Sequence, residues 1–215
     1  MKLFNYWRSS ASYRVRLALH FKTLSFEYVP VSLLKGEQHQ PEHRHRNPAG
    51  YVPVLEVDEG GQRVLLTQSF AIFEYLEERF PEKPLLPSRP VERAQVRAMA
   101  ELVNSGIQPF HNLDTLAYVK QLGLDATQWA PRWIDLGLDA LEKLASRTAG
   151  RFMFGDTFTW ADCCLLPQMY GARRFGGDVN RYPLLVRLEQ NSLDLAFVQA
   201  AKPEAQVDAQ PAPVP

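Results

Sequence analysis

The chain has 215 residues, 46% of them hydrophobic, with 24 Lys and Arg against 24 Asp and Glu. That length can bury a sizeable core, as one large domain or two small ones, and the zero net charge argues against a nucleic-acid binder, which usually carries a basic excess. No apolar run reaches transmembrane length, and the two cysteines, Cys163 and Cys164, are neighbours, which fits a reducing compartment, the cytoplasm by default.

Leu3 to Tyr6 reads as a short strand, in an N-terminal segment too briefly apolar, and too interrupted by Asn5 and Arg8, to read as a signal peptide. Three hydroxyls follow, Ser9, Ser10 and Ser12, between Arg8 on one side and Arg14 and Arg16 on the other. Ser10 or Ser12 can cap the helix that runs to Phe21. Val15, Leu17, Ala18, Leu19 and Phe21 occupy most of its faces, so it is expected to be buried. A helix N-terminus presents N–H groups without intrahelical partners and a partial positive charge. With hydroxyls and cations beside it, this turn is a candidate site for an anion, either a carboxylate or a thiolate. Leu24 to Val31 reads as a second strand, and strand–helix–strand predicts a right-handed parallel crossover.

Leu33 to Gly50 is polar and punctuated by Gly36, Pro41, Pro48 and Gly50. Its histidines, His39, His43 and His45, have metal-like spacing, but Pro41 interrupts the run and no Cys or acidic partner is fixed nearby. The segment therefore reads as a mobile polar loop, with no metal site. Val52 to Val57 reads as a strand containing Pro53, for which a cis peptide is one explanation. Asp58-Glu59-Gly60-Gly61 is a hairpin turn and Arg63 to Leu66 the returning strand. Ser69 is a plausible N-cap for a helix carrying Ile72, Phe73, Leu76 and Phe80 and stopping at Pro81. Pro84 to Pro90 is a proline-rich linker.

Beyond it the pattern is helical. Val91 to Gly106 is a long helix with room to continue past Pro109 through a kink. Gln128 to Ala145 is a second, Thr159 to Asp162 opens a third with a capping-box-like shape, and Tyr182 to Gln190 forms a fourth. Cys163, Cys164, Trp129, Trp133 and Trp160 read as core. Pro203 to Pro215 is rich in Ala and Pro and reads as a disordered tail. The expected domains are 1–81, a linker at 82–90, a helical domain at 91–202 and the tail at 203–215.

This order resembles the cytosolic glutathione transferases, which join a thioredoxin-like first domain with a mixed four-stranded sheet to an all-helical second domain. Trp7-Arg8-Ser9-Ser10-Ala11-Ser12-Tyr13-Arg14-Val15-Arg16 looks like the zeta-class signature. Asn47-Pro48 with Val52-Pro53 resembles the family's cis-proline segment, and Gln68-Ser69 its Q-S pair. Gly106-Ile107-Gln108-Pro109 with Asn112-Leu113, Asp162 with Cys164-Leu165-Leu166-Pro167-Gln168, and Ala172-Arg173-Arg174-Phe175 match further segments. The resemblance covers roughly residues 1 to 200, and agreement in order over that span is far more specific than any one motif.

The resemblance implies glutathione as cofactor and maleylacetoacetate, a dianion, as substrate, converted to the fumaryl isomer by reversible thiolate addition. It implies Ser9 as hydrogen-bond donor to the glutathione sulfur, Ser10 on the same turn, and Arg174 as the third catalytic residue. Glutathione would be held by Ser9, Ser10, Gln38, Val52, Gln68 and Ser69. Gln108, Asn112, Leu113 and Asp114 either bond between helices or, as the resemblance implies, face the cleft and reach glutathione in a dimer. Arg8 and Arg174 are the candidates for substrate carboxylates, because a guanidinium can bind a carboxylate bidentately. Arg173 reads as solvated, and Arg14 or Arg16 as paired with a carboxylate such as Asp162. A cytoplasmic homodimer is implied. Ala11 stands where the zeta pattern has Cys, which predicts retained glutathione chemistry with less covalent inactivation at this turn. The alternatives are a glutathione transferase or dehalogenase acting on small α-haloacids, a maleylpyruvate isomerase, and a non-catalytic transferase-like binding module.

Overall fold

The structure is a computed structural model and describes residues 1–210. The chain divides into two compact units, Met1–Pro84 with the C-terminal segment from Leu195, and Leu85–Asp194.

The first unit contains β1 (Lys2–Asn5), α1 (Ser10–Phe21), β2 (Glu27–Pro30), α2 (Pro41–Arg46), β3 (Val54–Glu59), β4 (Gln62–Thr67) and α3 (Ser69–Arg79). The sheet has the order β2-β1-β3-β4. β1 runs parallel to β2, and β3 is antiparallel to both β1 and β4, which is the mixed four-stranded sheet expected. Strand alternation divides its side chains between two faces. Leu3 pairs with Leu55 and both are fully buried, whereas Phe4 and Val54 pair in a second cluster with Tyr6, Trp7, Val31 and Val52. α1 packs against α3 and is buried from Ser12 through Leu19. At its end the buried Lys22 amine donates to Phe80 O and Lys83 O, both at 2.8 Å, and pairs with Glu77 at 3.2 Å. That ties α1 to the close of α3.

The stretch from Leu33 to Gly50 is more ordered than its composition predicts. It holds a 3₁₀ turn at Glu37–His39 and then α2. Pro41 begins α2 rather than breaking the segment, because the first helical position needs no N–H donor. His43 is buried, with Nε2 2.9 Å from Tyr51 O, so this histidine anchors the segment instead of belonging to a mobile loop. Asn47 adds a bond from Nδ2 to the same carbonyl at 2.9 Å. Val52-Pro53 is cis, and Pro53 precedes β3 instead of lying inside it.

The second unit contains α4 (Pro90–Gly106), a 3₁₀ turn (Gln108–His111), α5 (Leu113–Gln121), α6 (Ala126–Ala145), α7 (Trp160–Arg174) and α8 (Pro183–Leu193). α4 does not continue through Pro109. Ile107 leaves the helical region at φ −124° and the chain tightens into the 3₁₀ turn. Ile107 is fully buried against α6 at Gly137, where an added Cβ would lie 2.2 Å from Ile107 Cγ1. α7 is buried on almost every face and packs against α4 and α8, as a helix apolar all round must. Its capping box is formed: Asp162 accepts from Thr159 N at 2.8 Å and Thr159 Oγ1 at 2.9 Å, and also from Met153 N at 2.8 Å.

The C-terminal segment corrects two expectations. Residues 195–202 belong with the first unit, not the helical one, and residues 203–210 are ordered. α9 (Ala196–Ala201) packs on α1, and a 3₁₀ turn follows at Pro203–Ala205. Arg16 Nε donates to Ala201 O at 2.9 Å, and Asp208 accepts from Trp7 N at 3.2 Å and from Tyr28 Oη at 2.5 Å. A few isolated anchors hold the segment, so its Ala- and Pro-rich composition hid it. The expectation of disorder over 211–215 lies outside the described residues.

Candidate active site

The β1–α1 turn is built from its own backbone outward. Ser9 N donates to Tyr6 O at 3.1 Å, and Ser9 takes the extended conformation of an N-cap. Its Oγ accepts from Ser12 N at 3.2 Å. Ser9 is therefore the cap, where the sequence pointed to Ser10 or Ser12. Ser12 is fully buried and its Oγ accepts from Tyr6 N at 3.5 Å, so it serves the turn. Helix geometry leaves the N–H groups of Ser10 and Ala11, the first two helical residues, without intrahelical acceptors. Ser9, Ser10 and Ala11 are all half-buried and reachable from solvent. A hydroxyl that accepts through a lone pair still carries a proton to donate. Capping and anion binding are thus compatible at Ser9, and the turn offers an anion one O–H and two N–H groups. Arg8 borders it with its guanidinium 5.0 Å from the Trp7 ring centroid.

Among the described residues Arg16 pairs with no carboxylate directly. Its fully buried guanidinium donates to Asn5 Oδ1 at 2.9 Å, Tyr6 O at 3.4 Å, Trp7 O at 2.8 Å and Ala201 O. Burial lowers its pKa from 12.5 to about 10, so it remains cationic at neutral pH. Asp162 is satisfied by the amides and hydroxyl of its capping box. Carbonyls, being invisible in side-chain patterns, were missed as partners.

The other expected residues of this unit lie on its connecting segments. Gln38 is buried, and its Oε1 has no hydrogen-bond partner among the described residues, while Nε2 lies 3.0 Å from His39 Nε2. A buried acceptor left unmatched is costly unless a ligand supplies the donor. Val52 leads into the cis peptide. Gln68 is exposed and sits at φ 68°, a conformation rare for a residue with a side chain, and it is the N-cap residue of α3. Such strain, of order 1–3 kcal/mol, clusters at functional sites. Ser69 is the first helical residue rather than the cap, is buried, and its Oγ accepts from Arg14 Nη1 at 3.4 Å.

In the second unit Gln108 opens the 3₁₀ turn and is half-buried. Asn112 caps α5, its Oδ1 accepting from Asp114 N at 3.0 Å, and Leu113 and Asp114 are exposed in the first turn. His111 is buried between Gln168 Oε1, at 3.3 Å from Nε2, and the Phe175 ring. Arg174 is exposed at the end of α7, with its guanidinium 4.9 Å from the Phe175 centroid. Arg173 is exposed as expected, and it also forms a two-pronged pair with Glu189 at 2.6 and 2.5 Å. The structure thus brings Ser9, Ser10 and Arg8 onto one turn, and places Gln108 through Asp114 in one continuous segment.

Two family models match. One, described as the glutathione S-transferase N-terminal domain, covers residues 1–78, and one for the C-terminal domain covers residues 127–190. A "Glutathione S-transferase zeta class" of Euphorbia esula is 46% identical over 211 residues, covering 97% of this chain and 92% of that protein. A crystal structure of maleylacetoacetate isomerase from Anaeromyxobacter dehalogenans 2CP-1, with glutathione bound in its active site, superposes with a TM-score of 0.90 at 50% identity and covers 97% of each chain. The holo structure of a maleyl pyruvate isomerase, a bacterial zeta-class transferase, superposes with a TM-score of 0.92 at 41% identity, covering 98% of this chain and all of that one. With the two-unit architecture, the capped turn at Ser9 and near-full-length identity in agreement, the chain belongs to the zeta class of glutathione transferases, the maleylacetoacetate isomerase family.

Proposed function

We propose that the chain isomerises maleylacetoacetate to fumarylacetoacetate and uses glutathione catalytically. The observation that carries this reading is the Ser9 turn, where the capping hydroxyl and two helix N-terminal amides without intrahelical acceptors belong to adjacent, half-buried residues. The buried Oε1 of Gln38, unmatched among the described residues, supports a bound ligand with an N–H donor beside it. When bound, glutathione supplies a thiolate that adds reversibly to the conjugated double bond and is regenerated at each turnover. Ser9 donates its proton toward the sulfur, and the amides and field of the α1 N-terminus favour the ionised form. Together these effects lower a thiol pKa by roughly one to two units. Ser10 lines the same turn. Gln38, Val52, Gln68 and Ser69 are the residues we assign to holding glutathione in the first unit. Gln108, Asn112, Leu113 and Asp114 are assigned as further contacts, reached across a homodimer. Arg8 and Arg174 are assigned to the substrate carboxylates, a role that favours guanidinium over ammonium because two parallel N–H bonds fit a carboxylate.

Maleylpyruvate isomerisation is the second reading, and the likeness to the maleyl pyruvate isomerase structure favours it. Both readings demand many turnovers per glutathione, whereas a transferase or dehalogenase consumes one thiol each time. Absorbance assays on the two maleyl acids with trace glutathione decide: rapid conversion of one acid assigns the substrate, and stoichiometric thiol loss overturns isomerisation. The reading further includes a cytoplasmic homodimer, which light scattering tests for its stoichiometry. Among the described residues no helix is long and apolar enough to cross a membrane.

A further inference from the structure

We propose that the C-terminal segment is a strap that sets the geometry of the β1–α1 turn, with Asp208 acting through Trp7 as a positioning residue for Ser9. The inference rests on the reading above for its catalytic consequence only. Trp7 is held at both of its peptide groups. Its N–H goes to Asp208 Oδ2 at 3.2 Å, and its C=O takes Arg16 Nη2 at 2.8 Å. Tyr6 O, which receives Ser9 N, also receives Arg16 Nη1 at 3.4 Å. The backbone that presents Ser9 thus hangs from a carboxylate on one side and a guanidinium on the other. Both are anchored elsewhere. Tyr28 on β2 bonds the second carboxylate oxygen of Asp208 at 2.5 Å, and Arg16 Nε reaches Ala201 O at 2.9 Å. Ala209 packs beside Trp7, Tyr6 and Val52.

Trp7 is buried. Without Asp208 its N–H loses its acceptor, and the peptide must turn toward another, carrying the following residues with it. A catalytic group needs placement within about 0.5 Å, and an error of about 1 Å can cost a hundredfold in rate. A staple that only stabilised the fold would have no such local consequence.

The test is hydrogen exchange on the unliganded full chain, with kinetics in parallel. In Asp208→Ala the Trp7 and Ser9 amides are expected to exchange about ten- to a hundredfold faster, with β3 and β4 unchanged. Asp208→Asn, whose carbonyl can still accept from Trp7, should recover most of the protection. Tyr28→Phe, which keeps the Trp7 bond, should loosen the turn only a fewfold and serves if Asp208→Ala does not fold. With glutathione and substrate, kcat in Asp208→Ala should fall about tenfold, with the KM for glutathione little changed. Unchanged exchange at the turn, or equal acceleration in β3 and β4, overturns the strap. A loosened turn with wild-type kcat overturns the positioning role. If the wild-type chain isomerises neither acid, the functional reading fails while the exchange result still decides the strap.

Discussion

Replacing Arg16 by Met tests whether the turn is held by hydrogen bonds or merely tolerates a buried charge. Met has a similar reach and no donors. Tyr6 O keeps the Ser9 amide, but Asn5 Oδ1, Trp7 O and Ala201 O each lose the guanidinium. At about 2 kcal/mol for each buried acceptor left without its donor, the loss is roughly 6 kcal/mol. Removing the charge offsets part of it. Burial lowers the Arg16 pKa from 12.5 to about 10, which corresponds to roughly 3 kcal/mol of desolvation relieved. The net expectation is a destabilisation of about 3 kcal/mol, or several degrees in Tm. Urea titration followed by far-ultraviolet circular dichroism measures it. Buried ion pairs can often be replaced by apolar groups without loss. A variant within about 1 kcal/mol of wild type would show that the same holds here and that these hydrogen bonds do not hold the turn.

Two further predictions concern the helical unit. Gly137→Ala places a Cβ 2.2 Å from Ile107 Cγ1; overpacking should cost about 1–3 kcal/mol despite the better helix propensity of Ala, and Ile107→Ala in the same chain should relieve the clash, as a double-mutant cycle would reveal by its coupling. Burial raises the Asp162 pKa from 3.8 to about 6, against the hydrogen bonds it accepts. The native state therefore binds that proton more tightly than the unfolded chain. Its contribution falls as pH rises from about 4 through about 6, by roughly 3 kcal/mol. Equilibrium unfolding of wild type and Asp162→Asn should show the wild type losing ground by that amount between about pH 4 and pH 7; a difference that grows with pH would mean the capping bonds outweigh desolvation.

The strands, α3, α4, α6 and α8 were legible from apolar residues at strand or helix spacing, α7 from the capping box at its start, and α1 from a run apolar on most faces. α1 is the plainest case, with Val15, Leu17, Ala18 and Leu19 buried as expected. What escaped was set by single contacts rather than by period. α2 begins at a proline that usually signals a break, and its anchor is one buried histidine, His43. α9 and the strap depend on Ala201, Pro203 and Asp208 in a segment with too few apolar residues to announce a fold. The position of the cap at Ser9, rather than at Ser10 or Ser12, depends on the exit angle of β1, which no local pattern encodes. At the site, residue types in motif order pointed to Ser9, Gln68 and Arg174. They could not reveal that Arg16 is spent on carbonyls, or that Arg173 belongs to Glu189, because those partners are distant in sequence and one set has no side-chain signature.

In the proposed function Ser9 donates its hydroxyl proton to a glutathione thiolate used catalytically. The most direct measurement is the initial rate of maleylacetoacetate isomerisation at trace glutathione for wild type and Ser9→Ala, with the folded fraction of each determined alongside, since loss of the cap alone costs about 1 kcal/mol. The expected result is many turnovers per glutathione in the wild type and a rate about tenfold or more lower in the folded variant. A fully active Ser9→Ala would contradict it.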